Sequence, residues 1–256
     1  MSGRTALVTG ASGGFGREFA RLLAADGFDV ALVARTGAAL EDLAQELETR
    51  YRVAADVLPF DLARPGAPSA LVAELGLRGV RIDALVNGAA LHRPGSFLDA
   101  DQTELLELLQ VNLATLTHLT RLVLPGMVER GWGRIVNLSS ADALRLGSRR
   151  AVRRAGEAFV LSFSLALADE LRGSGVRVTA LCPPTTRQVP LVVHGAAGTE
   201  PEPGRPDLAE IAAWGYLAVK RGRPLAVRGA GWQALAIGTR LLPATAAART
   251  PRRRES

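Results

Sequence analysis

The chain has few of the residues that build disulfides and membrane spans. Its 256 residues include one cysteine, Cys182, which excludes an intramolecular disulfide and favours a reducing compartment. Polar residues interrupt the apolar runs, such as 158–161, well before the roughly 18 residues that a spanning helix needs. Residues 1–4 lead directly into a strand pattern, without the features of a signal peptide. We therefore expect a cytoplasmic protein that does not enter a membrane.

Lysine is almost absent. Lys220 is the only lysine, and arginine replaces it throughout a chain rich in alanine and glycine, a composition typical of GC-rich bacterial genes. The formal net charge is +6, but the arginines are dispersed apart from residues 252–254, within a tail, 249–256, that we expect to be disordered. Without a concentrated basic patch, the sequence predicts no nucleic-acid partner.

Short apolar runs alternate with helical patterns along residues 1–248, and no linker divides them. The predicted strands lie at 5–8, 29–34, 53–60, 82–86, 134–138, 176–181 and 224–227. The predicted helices lie at 17–25, 38–50, 101–130, 152–171, 207–221 and 232–242. This alternation is typical of a mostly parallel sheet covered by helices on both faces, so we expect a single α/β domain. The Gly- and Pro-rich stretch 194–206 is predicted to be a mobile loop.

A glycine-rich turn, Thr9-Gly10-Ala11-Ser12-Gly13-Gly14-Phe15-Gly16, lies between the first predicted strand and its helix. In a dinucleotide site, Gly10 permits the tight turn, Gly14 lets the backbone approach a pyrophosphate, and Gly16 allows close helix packing. The helix N-terminus then presents amide N–H groups and a partial positive charge to the phosphates. The alternative is an ordinary strand–helix turn.

The spacing Gly-x-x-x-Gly-x-Gly resembles the short-chain dehydrogenase/reductase family, and the resemblance continues over roughly residues 4–190. The further matching motifs are Asp61-Leu62, Asn87-Gly88-Ala89-Ala90, Val111-Asn112, Ile135-Val136-Asn137-Leu138-Ser139-Ser140 and Cys182-Pro183. The resemblance implies a Rossmann-type doubly wound sheet of seven strands. It also implies a homodimer or homotetramer assembled through the two long helices, and a substrate-selecting segment at about 189–221.

The same resemblance implies a set of site residues. Ser140 and Asn112 would be catalytic. The cofactor contacts would come from Gly10, Ser12, Gly14, Phe15, Gly16, Asp61, Leu62, Asn87, Gly88, Ala89 and Pro183.

The residue type at the end of the second strand indicates whether the cofactor is NAD or NADP. An acidic residue there would bind the ribose 2′-hydroxyl of NAD. This chain has Ala34-Arg35-Thr36 there. Because a guanidinium forms charge-assisted hydrogen bonds to a phosphate, Arg35 predicts NADP(H). The alternative is a solvated surface arginine.

The family places a Tyr-x-x-x-Lys motif about thirteen residues after its serine, and here those positions hold Arg153 and Glu157. The family tyrosine passes a proton to the substrate oxygen, and the lysine binds the nicotinamide ribose. Arg153 stays protonated, so it can donate hydrogen bonds and stabilise an oxyanion but cannot act as a general acid or base. Glu157 lies one helical turn away and can pair with Arg153, accept from the ribose hydroxyls, or serve as a base.

Four further positions bear on the reaction. His92 and Asp142 are candidates for proton transfer, and the alternative for each is an ordinary polar loop residue. Pro184 and Gln188 stand where the family commonly has a glycine and a carboxamide-binding threonine, which indicates a changed nicotinamide pocket.

The chain has two tyrosines, and Tyr216 forms a second Tyr-x-x-x-Lys string with Lys220. This string lies far past Ser140, in a predicted helix beyond the substrate segment, so we interpret Tyr216 as a packing residue. The other, Tyr51, is placed at the start of the third strand.

Three functions remain open. The first is an NADP(H)-dependent ketoreductase without a metal, in which Ser140 and Arg153 polarise the carbonyl of a small substrate, while water, the substrate or His92 supplies the proton. The second is a non-redox cyclase, isomerase or lyase. The third is a silent subunit that pairs with an active homologue. The glycine turn and Arg35 favour the first, whereas the lost tyrosine and lysine favour the others.

Overall fold

The computed structural model describes residues 3–92, 96–144, 151–184 and 207–228. Its sheet has seven strands in the order β3-β2-β1-β4-β5-β6-β7, and each neighbouring pair is parallel. The strands are β1 (Thr5–Thr9), β2 (Asp29–Ala34), β3 (Ala55–Pro59), β4 (Ile82–Asn87), β5 (Gly133–Leu138), β6 (Val176–Cys182) and β7 (Leu225–Val227). The predicted doubly wound α/β fold is confirmed.

Helices connect these strands. They are α1 (Gly14–Ala25), α2 (Gly37–Tyr51), α3 (Ala67–Leu77), α4 (Gln102–Leu109), α5 (Leu116–Glu129), α6 (Ala151–Glu170) and α7 (Leu208–Lys220). A π-helical segment, Gln110–Thr115, joins α4 to α5, and a 3₁₀ turn, Ala141–Leu144, precedes α6.

Three sequence predictions need correction. The long helix predicted at 101–130 is interrupted by the π-helical segment Gln110–Thr115. The prediction missed α3, whose sequence APSALVAELGL is apolar around most of its circumference and so lacks a clear helical stripe. Tyr51 ends α2 rather than starting β3, because Arg52 adopts the left-handed conformation (φ +57°) that terminates the helix.

Two hydrophobic cores flank the sheet. Successive strand residues point to opposite faces, so Ala6 and Val8 pack in one core and Leu7 in the other. Side chains of α1, α2 and α7 cover the first face, which we call the α1 face. Side chains of α3, α5 and α6 cover the second, the α5 face. Because all seven strands are parallel, their carboxyl ends lie at the same edge of the sheet, and the loops that follow them form the site.

Some predictions concern parts of the chain outside the described residues: the loop 194–206, Gln188, the helix at 232–242 and the tail 249–256. Among the helices that the structure describes, none combines the length and apolarity needed to cross a membrane.

Candidate active site

Two glycines of the turn between β1 and α1, Gly10 and Gly16, cannot be replaced without strain. Gly10 has φ +70°, and a Cβ there would lie 2.7 Å from the carbonyl oxygen of Gly88. A Cβ on Gly16 would overlap the carbonyl of Gly10. The turn therefore packs backbone against backbone, both on itself and on the loop that follows β4.

The outer side of the same turn is open. A Cβ built on Gly13 or Gly14 meets no atom within 4 Å, although Gly14 has φ +54°. Helix α1 begins at Gly14, has Gly13 as its N-cap and carries no acidic residue in its first turn. Its amide N–H groups and positive dipole end therefore border open space, which fits the pyrophosphate of a dinucleotide. Ser12 and Phe15, also predicted to contact the cofactor, lie half-buried in this turn.

Thr9 is a site-building residue that the sequence interpretation did not single out. Its buried hydroxyl donates to the carbonyl of Val86 (3.2 Å) and accepts from the backbone N–H groups of Gly88 and Ala89 (3.1 Å each). One side chain thus fixes the loop after β4 against the glycine turn. The available signal was a threonine as the last residue of a strand, directly before the first glycine.

The side chains of Asn87 and Asn112 are hydrogen-bonded to neighbouring parts of the protein. The side chain of Asn87 is buried and donates to Asn137 Oδ1 (2.8 Å) and Thr120 Oγ1 (3.2 Å), so only its backbone borders the site. Asn112, in the π-helical segment, accepts from the N–H of Leu91 (2.7 Å) and donates to its carbonyl (2.9 Å). This pair of bonds fixes the loop that carries the half-buried His92. In the structure, Asn87 therefore bonds two neighbouring side chains, and Asn112 holds the backbone of Leu91.

The residues predicted to hold the adenosine end lie at the same edge of the sheet. Arg35 directly follows β2 and is exposed, and within the described residues it forms no ion pair. Asp61 is also exposed, and its carboxylate accepts from the N–H of Ala63 (3.1 Å). Leu62 is buried, and its carbonyl accepts from Thr115 Oγ1 (2.9 Å). The Arg35 guanidinium is therefore available to an anion.

Hydrogen bonds tie together the loops after β5 and β6. The N–H of Ser139 donates to the carbonyl of Leu181 (2.8 Å), and the N–H of Ala141 donates to the carbonyl of Pro183 (3.0 Å). Ser140 lies between these two anchors and is half-buried, as is Pro184, while Pro183 is buried. The predicted catalytic serine and the predicted cofactor-contacting proline are therefore neighbours.

The predicted pairing of Arg153 with Glu157 is confirmed. Arg153 Nε donates to Glu157 Oε1 at 2.8 Å within the first two turns of α6, and the two side chains are 20% and 10% exposed. The Ser139 hydroxyl donates to the Glu157 backbone carbonyl (2.9 Å), which attaches this helix end to the serine loop. A mostly buried, paired guanidinium is a fixed hydrogen-bond donor.

The thiol of Cys182, the last residue of β6, has a raised pKa. Burial raises the pKa of the Cys182 thiol to about 12, and the charge of Glu157 adds to that rise. Cys182 is fully buried, so it remains a neutral thiol at physiological pH. We infer that the thiol takes no part in the chemistry as a nucleophile.

Tyr216 lies at the other edge of the sheet. Its hydroxyl donates to Asp26 Oδ2 (2.9 Å), to which Lys220 Nζ also donates (2.7 Å), and its ring packs edge-on against Phe19 at 6.0 Å. Asp26 follows the last residue of α1, so it lies a full helix length from the glycine turn. Burial, followed by the bond to Asp26, raises the pKa of Tyr216 far above its ordinary value. These contacts support a packing role for Tyr216.

The glycine turn, the order of the strands and the loops at their ends all correspond to one family. The model of the short chain dehydrogenase family matches residues 4–194. The chain belongs to the short-chain dehydrogenase/reductase family. This family of oxidoreductases binds a nicotinamide cofactor, for which the turn described above is suited.

Several curated relatives are named as reductases. The chain is 33% identical to ketoacyl reductase HetN of Nostoc sp. over 75% of this chain and 67% of that protein. It is 37% identical to the very-long-chain 3-oxoacyl-CoA reductase of Laccaria bicolor over 70% of this chain and 54% of that protein. The chain thus matches about half to two thirds of the length of these relatives.

A solved structure matches nearly the whole chain. The short-chain dehydrogenase from Sphingobium yanoikuyae in complex with NADPH is 30% identical and has a TM-score of 0.82, covering 99% of this chain and 98% of that one. Within this fold, the first turns of the helix between β5 and β6 hold Arg153 and Glu157, the positions that the sequence aligns with the family's tyrosine and lysine.

Proposed function

We propose that this protein is an NADPH-dependent ketoreductase that uses a fixed arginine in place of the family's tyrosine. The observation that carries the proposal is the Arg153–Glu157 ion pair, 2.8 Å long, at the start of α6 beside the serine loop. The carboxylate orients the guanidinium, and the guanidinium remains a donor at any physiological pH. The named relatives, all reductases of carbonyl compounds, support the same reaction type.

Two features of the chain fit the phosphates of the cofactor. The open N-terminus of α1 would hold the pyrophosphate, and Arg35 would bind the 2′-phosphate that distinguishes NADPH from NADH. When bound, the nicotinamide supplies a hydride. With Glu157 at the lysine position, no cation remains there to bind the nicotinamide ribose, so we expect the Glu157 carboxylate to accept from the ribose hydroxyls while Oε1 keeps its bond to Arg153.

Two donors would polarise the substrate. Ser140 and Arg153 would donate to the carbonyl oxygen and stabilise the negative charge that develops on it. Arginine does not release its proton, so the proton comes from water, the substrate or His92. Reduction tolerates this arrangement because solvent can protonate an alkoxide, whereas alcohol oxidation needs a base.

The decisive experiment follows NADPH absorbance with a panel of carbonyl compounds that includes 3-oxoacyl thioesters, the substrate type named for the relatives. We expect consumption of NADPH, and loss of that activity in Arg153→Ala. Arg154→Ala, which removes the adjacent arginine of α6, is the matched control and should retain activity. The proposal fails if no carbonyl compound consumes NADPH, or if Arg153→Ala reacts as fast as the unchanged protein.

A non-redox function is the second candidate, favoured by one observation. The helix start offers a guanidinium and a carboxylate where a reductase of this family has a proton-relay pair. Such a pair can stabilise an enolate or assist a leaving group without hydride transfer. An enzyme of this kind would bind NADPH, or its adenosine end, without consuming it.

A further inference from the structure

A cavity lies on the α1 face at the sheet edge opposite the glycine turn. It has a volume of about 260 Å³, and residues of α1 and α7 contribute to its lining. Small strand residues form its floor, namely Ala84, Val86 and Val136, and Phe19 and Leu23 of α1 form one wall. Along α1 the lining begins at Phe19, five residues or about 7.5 Å from Gly14 at the turn, and none of the residues that line the cavity is among those predicted to contact the cofactor. The cavity is therefore distinct from the cofactor site.

Aromatic and cationic groups line the rest of the cavity. The rings of Phe28 and Trp132 lie 6.2 Å apart. The guanidinium of Arg4 lies 3.9 Å from the centre of the Trp132 ring, and that of Arg134 lies 4.7 Å from it. A flat apolar body can stack in such surroundings while a polar end meets the arginines.

Positive charge accumulates at Arg134. Its guanidinium donates to two backbone carbonyls, those of Gly133 (2.7 Å) and Gly175. Arg177 is its register partner on β6, and within the described residues neither arginine pairs with an acidic side chain. Burial, Arg177 and Arg4 together lower the pKa of Arg134, in that order of importance. A bound anion would relieve this repulsion.

The one acidic group of the cavity lining is already neutralised. Asp26 Oδ2 accepts from Lys220 Nζ (2.7 Å) and from the Tyr216 hydroxyl (2.9 Å). The remaining charged groups that line the cavity are the guanidinium groups of Arg4 and Arg134. The cavity thus has an apolar floor of strand residues and a cationic side formed by Arg4 and Arg134.

We propose that this cavity binds a small amphipathic carboxylate, with its apolar body over Ala84 and Val136 and its carboxylate on Arg134. The volume is below the roughly 300–1,000 Å³ of drug-sized pockets, so it suits a single ring with a short acidic chain. A guanidinium is the side chain best matched to a carboxylate. The site would act independently of the reaction at the other edge of the sheet.

The first test uses 3-phenylpropionate as the probe and 3-phenylpropionamide as its neutral counterpart. Binding to the NADPH-saturated full-length protein is followed by tryptophan fluorescence and by calorimetry. We expect the carboxylate to bind at least about tenfold more tightly than the amide. Arg134→Gln should remove that preference, whereas Arg121→Gln, which replaces an exposed arginine on α5, should preserve it. Equal binding of the two probes, or no binding, overturns the proposal.

The second test fills the cavity. Ala84→Leu places a larger side chain on its floor, and Val219→Phe does so from α7 if the first variant does not fold. Either change should abolish binding of the carboxylate while leaving NADPH binding unchanged. Persistent binding in a folded, filled variant, or displacement of the probe by NADPH, would place the ligand in the cofactor site and contradict the proposal.

Discussion

The cofactor half of the site and its reaction half are built from different parts of the chain. The cofactor half, residues 9–16 with Arg35 and the loop at 88–89, depends mainly on backbone, because its close approaches are Gly10 to Gly88 and Gly16 to Gly10. The reaction half, Ser140 with Arg153 and Glu157, depends on side chains of the loop after β5 and of the start of α6. Backbone geometry tolerates few substitutions, whereas exchanging two side chains on a rigid helix changes the chemistry and leaves the fold intact.

The sharpest way to test this contrast is to give the reaction half the family's residues. Arg153→Tyr combined with Glu157→Lys should install a proton relay on an unchanged cofactor half. Positioned general acid catalysis contributes about 10²–10⁴-fold, so ketone reduction should rise or appear. The measurement is NADPH consumption with the carbonyl panel. If the double variant binds NADPH normally and reduces nothing more than the parent, the two halves are not separable.

In each half, the sequence predicts some features and misses others. The glycine turn, the position of Arg35 after β2 and the parallel α/β sheet were predictable, because residue spacing and the alternation of strands and helices indicate them. The pairing of Arg153 with Glu157 was also predictable, since residues four apart on a helix are neighbours. The roles of Thr9 and Ser139 were not predictable, because each side chain bonds backbone groups that are distant in the sequence. Likewise, helix α3 offers no amphipathic pattern to read.

A single methyl group added to the glycine turn should disrupt the cofactor half. In Gly10→Ala, the Cβ would lie 2.7 Å from the Gly88 carbonyl at φ +70°, so we expect a loss of stability of at least about 1–3 kcal/mol and weaker NADPH binding. Gly13→Ala is the matched control, because Gly13 is extended (φ −171°) and its Cβ meets nothing. Denaturant unfolding measures both. Equal stability of the two variants would contradict this account of the turn.

Arg35 tests which cofactor the same half prefers. We expect the unchanged protein to bind NADPH more tightly than NADH. Losing a charged hydrogen bond costs about 1.5–3 kcal/mol, so Arg35→Asp should weaken NADPH binding roughly ten- to hundredfold and leave NADH binding nearly unchanged. Calorimetric titration of both cofactors provides the comparison. If the parent protein binds them equally, Arg35 is an ordinary surface arginine.

The hydroxyl of Tyr216 should contribute neither to cofactor binding nor to the reaction. Tyr216→Phe removes the hydroxyl bonded to Asp26 and retains the ring on Phe19, so stability should fall by about 1 kcal/mol with no change in rate. Thermal unfolding and NADPH consumption are measured on the same sample. A folded variant that has lost its activity would mean that the reaction centre has been placed at the wrong edge of the sheet.

Replacing Cys182 should have the smallest effect on stability at neutral pH. This residue lies next to the reaction half but takes no part in the chemistry. Its pKa is raised from 9.0 to about 12, chiefly by burial, so the folded protein holds a neutral thiol that should react with thiol reagents only after unfolding. Because the folded pKa lies above the unfolded one, the group leaves stability unchanged below about pH 9 and reduces it as the pH rises from there towards 12. Cys182→Ala should lessen that alkaline decline, as measured by denaturant midpoints between pH 8 and 10. Rapid labelling of the native thiol at pH 7 would show instead that Cys182 is accessible and ionised, and would make it a candidate nucleophile.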